Sequence, residues 1–133
     1  MSELEAWAKK VEGIWNDVLE ADSKAGKPRI TLPGFPIEVV KVKIARDFGH
    51  HKIFWDLSEG NAPPPESLLR QLHQVRCKGF NARVVLLKTT AERLKKHEGY
   101  LRAGLARRLP MRAIPEVRWQ HISEMSAALR LEL

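Results

Sequence analysis

Nine cations of this 133-residue chain fall between residues 88 and 118, namely Lys88, Arg93, Lys95, Lys96, Arg102, Arg107, Arg108, Arg112 and Arg118, against only three acids. Crowded Lys and Arg side chains neutralise phosphates and release counterions, so the binding they support weakens as salt rises. Arg adds a planar donor fork that fits phosphate oxygens. The segment therefore points to nucleic acid as partner. Two plainer uses compete with this one: a solvated helix face, and cations in the last turn of a helix, where Arg107 and Arg108 would favour the macrodipole. Residues 1–26, by contrast, hold six acids and three bases, so the net charge of +7 is concentrated in one part of the chain.

Catalytic and metal chemistry finds less support. Asp47-Phe48-Gly49 matches the metal-binding tripeptide of kinases, but no glycine-rich phosphate loop, paired lysine or catalytic loop accompanies it, and the chain is too short for that fold. His50 and His51 are adjacent, and neighbours on a strand point to opposite faces, so they do not readily share a ligand sphere with Asp47. His73 and Cys77 at i, i+4 would make half a metal site, without a second pair. No nucleophile and base stand at a recognisable spacing. We expect neither enzyme activity nor a cofactor or metal.

One cysteine, Cys77, excludes an intramolecular disulfide and favours an intracellular setting. No apolar run approaches the ~20 residues of a spanning helix, so no membrane partner is expected. The start, Met1-Ser2-Glu3-Leu4-Glu5, is acidic and unlike a signal or transit peptide. A leader removed before this numbering begins is compatible with it.

The elements that must carry these residues follow from periodicity. Ser2 and Glu5 form a capping box ahead of Leu4, Trp7, Val11, Ile14, Trp15, Val18 and Leu19 at helical spacing, which predicts a helix over about 2–24, ended by Gly26 and Pro28. From 37 to 57 the period becomes two. Val40, Val42 and Ile44 alternate with Lys41, Lys43 and Ala45, and Ile53, Trp55 and Leu57 alternate with Lys52, Phe54 and Asp56, giving two strands joined near Phe48-Gly49-His50 with one face in the core. The other face carries Lys41, Lys43 and Lys52, a solubilising surface that also adds to the basic field.

After the Pro-rich break at 60–65, Leu68, Leu69, Leu72 and Val75 predict a short helix over 66–76. The compact apolar run at 82–87 reads as a buried strand. Thr89 and Glu92 make a second capping box, so a helix is expected from Thr90, interrupted at Gly99. Interior glycine costs roughly 1 kcal/mol relative to alanine, which implies a backbone or packing reason for it. Beyond it Leu101, Leu105 and Leu109 form a core stripe while Arg102, Arg107 and Arg108 project elsewhere. A strand over 116–121 and a helix over 123–129 close the chain. The whole reads as one α+β domain, 1–133.

Two segments resemble the ribosome-binding factor A family in content and order. The first is Ala45-Arg46-Asp47-Phe48-Gly49-His50-His51-Lys52-Ile53-Phe54-Trp55. The second is Tyr100-Leu101-Arg102-Ala103-Gly104-Leu105-Ala106-Arg107-Arg108-Leu109, running on to Pro115-Glu116-Val117-Arg118-Trp119. The resemblance spans roughly 38–57 and 94–121. It implies a type II KH-like domain in which a sharp Ala-x-Gly kink replaces the glycine-rich RNA-binding loop. Here His97-Glu98-Gly99 occupies that place, with histidine for the small residue. Residues 60–88 look like an insertion of a helix and a strand, and 122–133 like an appended helix.

The resemblance further implies a factor that matures immature small ribosomal subunits by binding small-subunit ribosomal RNA near its 3′ end and decoding region. The implied contacts are Lys41, Lys43, Lys52, Arg93, Lys96, His97, Gly99, Tyr100, Arg102, Arg107, Arg108 and Arg112, with Tyr100, His97 or Trp119 stacking on an unpaired base. Assembly factors or ribosomal proteins would dock on the insertion and the final helix. The altered kink and the insertion suggest an organellar relative, in the mitochondrial matrix in preference to a bacterial cytoplasm. The rival reading is a structural or protein-interaction subunit of a ribonucleoprotein.

Overall fold

In the computed structural model, residues 2–58, 66–79, 81–109 and 115–124 are described. The order is α1 (Glu3–Ser23), β1 (Ile37–Ile44), β2 (His50–Leu57), α2 (Glu66–Cys77), α3 (Ala82–Lys96), α4 (Glu98–Arg108) and β3 (Glu116–His121), then a single 3-10 turn at Ile122–Glu124. The α+β architecture and the kinked helix pair before the last strand stand as expected. Of the expected final helix only this turn lies within the described residues.

α1 starts where Ser2 accepts a hydrogen bond from the Glu5 amide at 3.1 Å, the N-cap half of the capping box. Its stripe of Val11, Trp15, Val18 and Leu19 is buried. At its end the buried Asp22 carboxylate accepts from the Arg29, Ile30 and Thr31 amides and the Thr31 hydroxyl, at 3.0 to 3.2 Å, which folds the following loop back on the helix.

The sheet order is β1-β2-β3, with β1 antiparallel and β3 parallel to β2. A parallel connection needs a crossover of a dozen or more residues, and α3 with α4 supplies it. The core face carries Ile37, Val39, Val42 and Ile44, then His51, Ile53, Trp55 and Leu57. Val40 departs from expectation. A bulge between Val39 and Lys41 inserts it as an extra residue, leaves it half-buried and hands its core place to Val39. The Asn16 side-chain amide closes the free edge there, accepting from the Val39 amide at 2.8 Å and donating to its carbonyl at 3.2 Å. Phe54 lies on the outer face, register partner of Lys41, yet is only 2% exposed.

The strand expected at 82–87 does not form. Asn81 caps a helix instead, accepting from the Arg83 amide at 2.9 Å, and α3 runs unbroken from Ala82 through the sites read as strand and as second cap. Leu86, Thr90 and Leu94, four apart, are its buried face. The Thr90 hydroxyl donates to the Leu86 carbonyl of its own helix at 2.8 Å. The suspected insertion thus holds a helix, α2, and the opening of α3, and no strand among its described residues. α2 buries none of its side chains fully. At the far end of the sheet Asp56 accepts from Arg83 at 3.3 Å and pairs with His121 at 2.9 Å, tying the first turn of α3 to β2 and β3.

Candidate nucleic-acid interface

The break between α3 and α4 takes one residue. His97 ends α3, with its amide on the Arg93 carbonyl at 3.0 Å, and its own carbonyl accepts the Leu101 amide of α4 at 3.1 Å. Its φ of −106° and ψ of 27° turn the chain there. The kink therefore falls at His97, and Gly99, expected as the interruption, sits in the first turn of α4. Gly99 has no special backbone geometry, and a Cβ on it would meet no atom within 4 Å. Its absent side chain leaves the surface bare.

No side chain caps α4. Leu101, Gly104 and Leu105 are buried. The opposite face presents Gly99, Ala103 and Ala106, all exposed, with Arg102 and Arg107 on either flank. The two alanines escaped the sequence reading because small residues carry no chemical signal by themselves. Their value appears only once the helix shows which way they face.

The expected contact residues divide on this frame. Arg107 is exposed. Arg108 is exposed too, and donates to the Gly104 carbonyl at 3.0 Å. Arg102 is half-buried and donates to the Pro115 carbonyl at 3.1 Å, so it fastens α4 to the start of β3 as well as lining the surface. Arg93 is half-buried and Lys96 exposed in the last turn of α3, beside exposed Lys95. His97 is half-buried at the kink.

Of the aromatic residues expected to stack on bases, Tyr100 and Trp119 are half-buried and make ring contacts within the protein. The Arg29 guanidinium covers the Tyr100 ring at 4.7 Å, and Trp119 packs edge-on against buried Trp15 at 5.2 Å. Arg112 lies outside the described residues.

The lysines of the sheet do not join α4. α1, α3 and α4 pack on the core face, whereas Lys43 and Lys52 are register partners on the outer face. Lys41 lies at the β1 edge beside α1. Burial raises the Glu12 carboxyl above the usual range, and Lys9 and Lys41 act against that rise. Arg118, counted in the basic segment but not singled out as a contact, pairs with Lys52 in register.

The two histidines separate as strand geometry requires. His50 points outward, 3.3 Å from Glu116. His51 is 1% exposed in the core, with neither ring nitrogen hydrogen-bonded among the described residues. Burial pulls its pKa from 6.5 down to about 4. His73 and Cys77 touch at 3.6 Å on the exposed side of α2. No group of three or more His, Cys, Asp or Glu able to hold a metal occurs among the described residues.

A three-stranded sheet covered on one face by helices, with a kinked pair feeding the last parallel strand, defines a KH-like α+β domain. Among solved structures its fold is that of ribosome-binding factor A. The crystal structure of the Thermus thermophilus protein matches with TM-score 0.56 and 15% identity, over 90% of this chain and 97% of that one. A homology model of Thermus thermophilus RbfA, as fitted into the cryo-EM map of a 30S-RbfA complex, matches with TM-score 0.50 and 19% identity, over 95% and 100%. The solution NMR structure of a Thermotoga maritima protein provisionally given the same name matches with TM-score 0.52 and 15% identity, over 92% and 89%. No family model matches the sequence, and no curated protein does.

Proposed function

We propose that this protein is a non-enzymatic assembly factor that binds small-subunit ribosomal RNA in immature small subunits, near the RNA 3′ end and decoding region. The observation that carries the reading is the α3–α4 kink at His97. It leaves α4 without a side-chain cap and presents the bare Gly99, Ala103 and Ala106 face between two arginines. A sugar-phosphate backbone can approach such a face closely, with the flanking guanidinium groups taking its phosphates. Affinity then comes from phosphates and specificity from RNA shape. Support comes from the fold, shared with proteins named for ribosome binding, one of them placed in a 30S complex. The mitochondrial matrix is the compartment we propose.

Gradient co-sedimentation of the tagged protein, probing precursor and mature small subunits separately across a salt series, tests this. Enrichment on precursors that fades as salt rises is expected. A second reading, a permanent subunit of a ribonucleoprotein particle, draws on α2, whose Leu69 is 48% exposed and suits a protein partner. That reading expects equal occupancy of mature particles. Absence from both particles would overturn the ribosomal assignment altogether.

A further inference from the structure

The sheet register brings together three cations that the sequence keeps far apart. Lys43 of β1 lies opposite Lys52 of β2, and Lys52 lies beside Arg118 of β3, so one row of the outer face reads Lys-Lys-Arg. Neighbouring strands are about 4.8 Å apart, which makes the row about 10 Å across. Lys43 and Arg118 are exposed and Lys52 is half-buried. No carboxylate among the described residues pairs with any of the three. Glu116 lines the same surface and lies 3.3 Å from His50. With His50, Ala45 and their neighbours the three line an open concavity of about 450 Å³.

Like charges directly opposite one another on adjacent strands destabilise a sheet. Two such juxtapositions in one row run against folding, and an anion laid across them removes the conflict. The span is one that a nucleic-acid backbone crosses with more than one phosphate. The neighbouring Phe54 is buried, so the row offers no exposed apolar anchor of the kind that dominates a protein interface. The helices cover the opposite face of the sheet, hence a phosphate held here is not one held by α4.

We propose that Lys43, Lys52 and Arg118 form a second RNA-phosphate site, on the outer face of the sheet, through which the protein holds two RNA segments at once, one on each side. This rests on the reading of ribosomal RNA as partner. As an assembly device it would clamp two RNA elements that must be held together before the subunit matures.

The test uses transcribed small-subunit ribosomal RNA as probe. The variant Lys43→Gln, Lys52→Gln, Arg118→Gln is expected to keep its fold, with a melting temperature equal to or above that of the parent. The slope of log affinity against log salt should fall by about 2, as for two to three lost phosphate contacts. The parent, bound to an immobilised copy of the RNA, is expected to capture a second, labelled copy, and the variant to bind the first copy without capturing the second. Lys43→Arg with Lys52→Arg should behave as the parent.

An unchanged slope with full second-copy capture would overturn the sheet site while leaving the α4 reading intact. Loss of a protein partner with RNA binding unaltered would overturn it equally. Failure of the parent to bind the RNA at all would instead strike the functional reading on which the site depends.

Discussion

Burial strips both His51 ring nitrogens of water and the described residues offer them no partner, so the core accepts the neutral ring until the pH approaches about 4. The unfolded chain takes up that proton near 6.5. Because the folded value is the lower of the two, this group's contribution to stability is complete above pH 6.5, declines as the pH falls, and is exhausted near pH 4. The loss amounts to something on the order of 3 kcal/mol. Carboxylates begin to titrate at the lower end of that window, so the clean experiment is a comparison. Urea unfolding between pH 7 and 4 should show the parent losing stability faster than His51→Phe, which keeps a ring of similar shape without titrating. Parallel curves would mean that His51 finds a partner or is hydrated. Nothing in the sequence separates His51 from His50. Only the alternation of β2 says that one of them faces the core, and the pairing of His50 with Glu116 shows which.

Between elements, the legible features were those with a periodic or paired signature. The α1 cap, the two alternating strands and the basic helix beyond the kink carry such a signature and formed within a residue or two of expectation, whereas the helix expected from Thr90 starts at Ala82. The bulge at Val40 adds a single residue and leaves no compositional trace. The run Ala82-Arg83-Val84-Val85-Leu86-Leu87 satisfies a strand and a buried helical turn alike. What decides between them is Asn81, an N-cap one residue upstream, whose signal competes with the apparent cap at Thr89. The glycines of α4 invert the expectation in the same way. Gly99, expected to be the constrained one, has open space around it, whereas a Cβ on Gly104 would stand 3.0 Å from Val18 Cγ1, where α1 and α4 make their close approach. Gly104→Leu should therefore force the two helices apart and cost about 1–3 kcal/mol in denaturant unfolding. Gly99→Ala should be neutral or raise stability by up to about 1 kcal/mol. The reverse order would return the structural role to Gly99.

At the scale of the whole molecule, the charge gradient along the sequence becomes a difference between surfaces. Acid-rich α1 lies on β1, and the cations collect on α3, α4 and the outer sheet face. The arginines of α4 are unequal in this arrangement. Reversing Arg102 together with Arg107 and Arg108 would also break the clip from Arg102 to the Pro115 carbonyl, and so confound binding with folding. Arg107→Glu with Arg108→Glu spares that clip. It gives up only the local contact of Arg108 to Gly104. The double variant should melt within a few degrees of the parent. For transcribed small-subunit ribosomal RNA, the slope of log affinity against log salt should fall by at least about 1.5, as for two lost phosphate contacts. The matching reversal on α1, Lys9→Glu with Lys10→Glu, changes net charge by the same amount at a surface assigned no contact, and should weaken binding far less. An equal loss from both variants would mean that the protein attracts RNA through its overall charge alone, and that the kinked helix pair holds no particular phosphate.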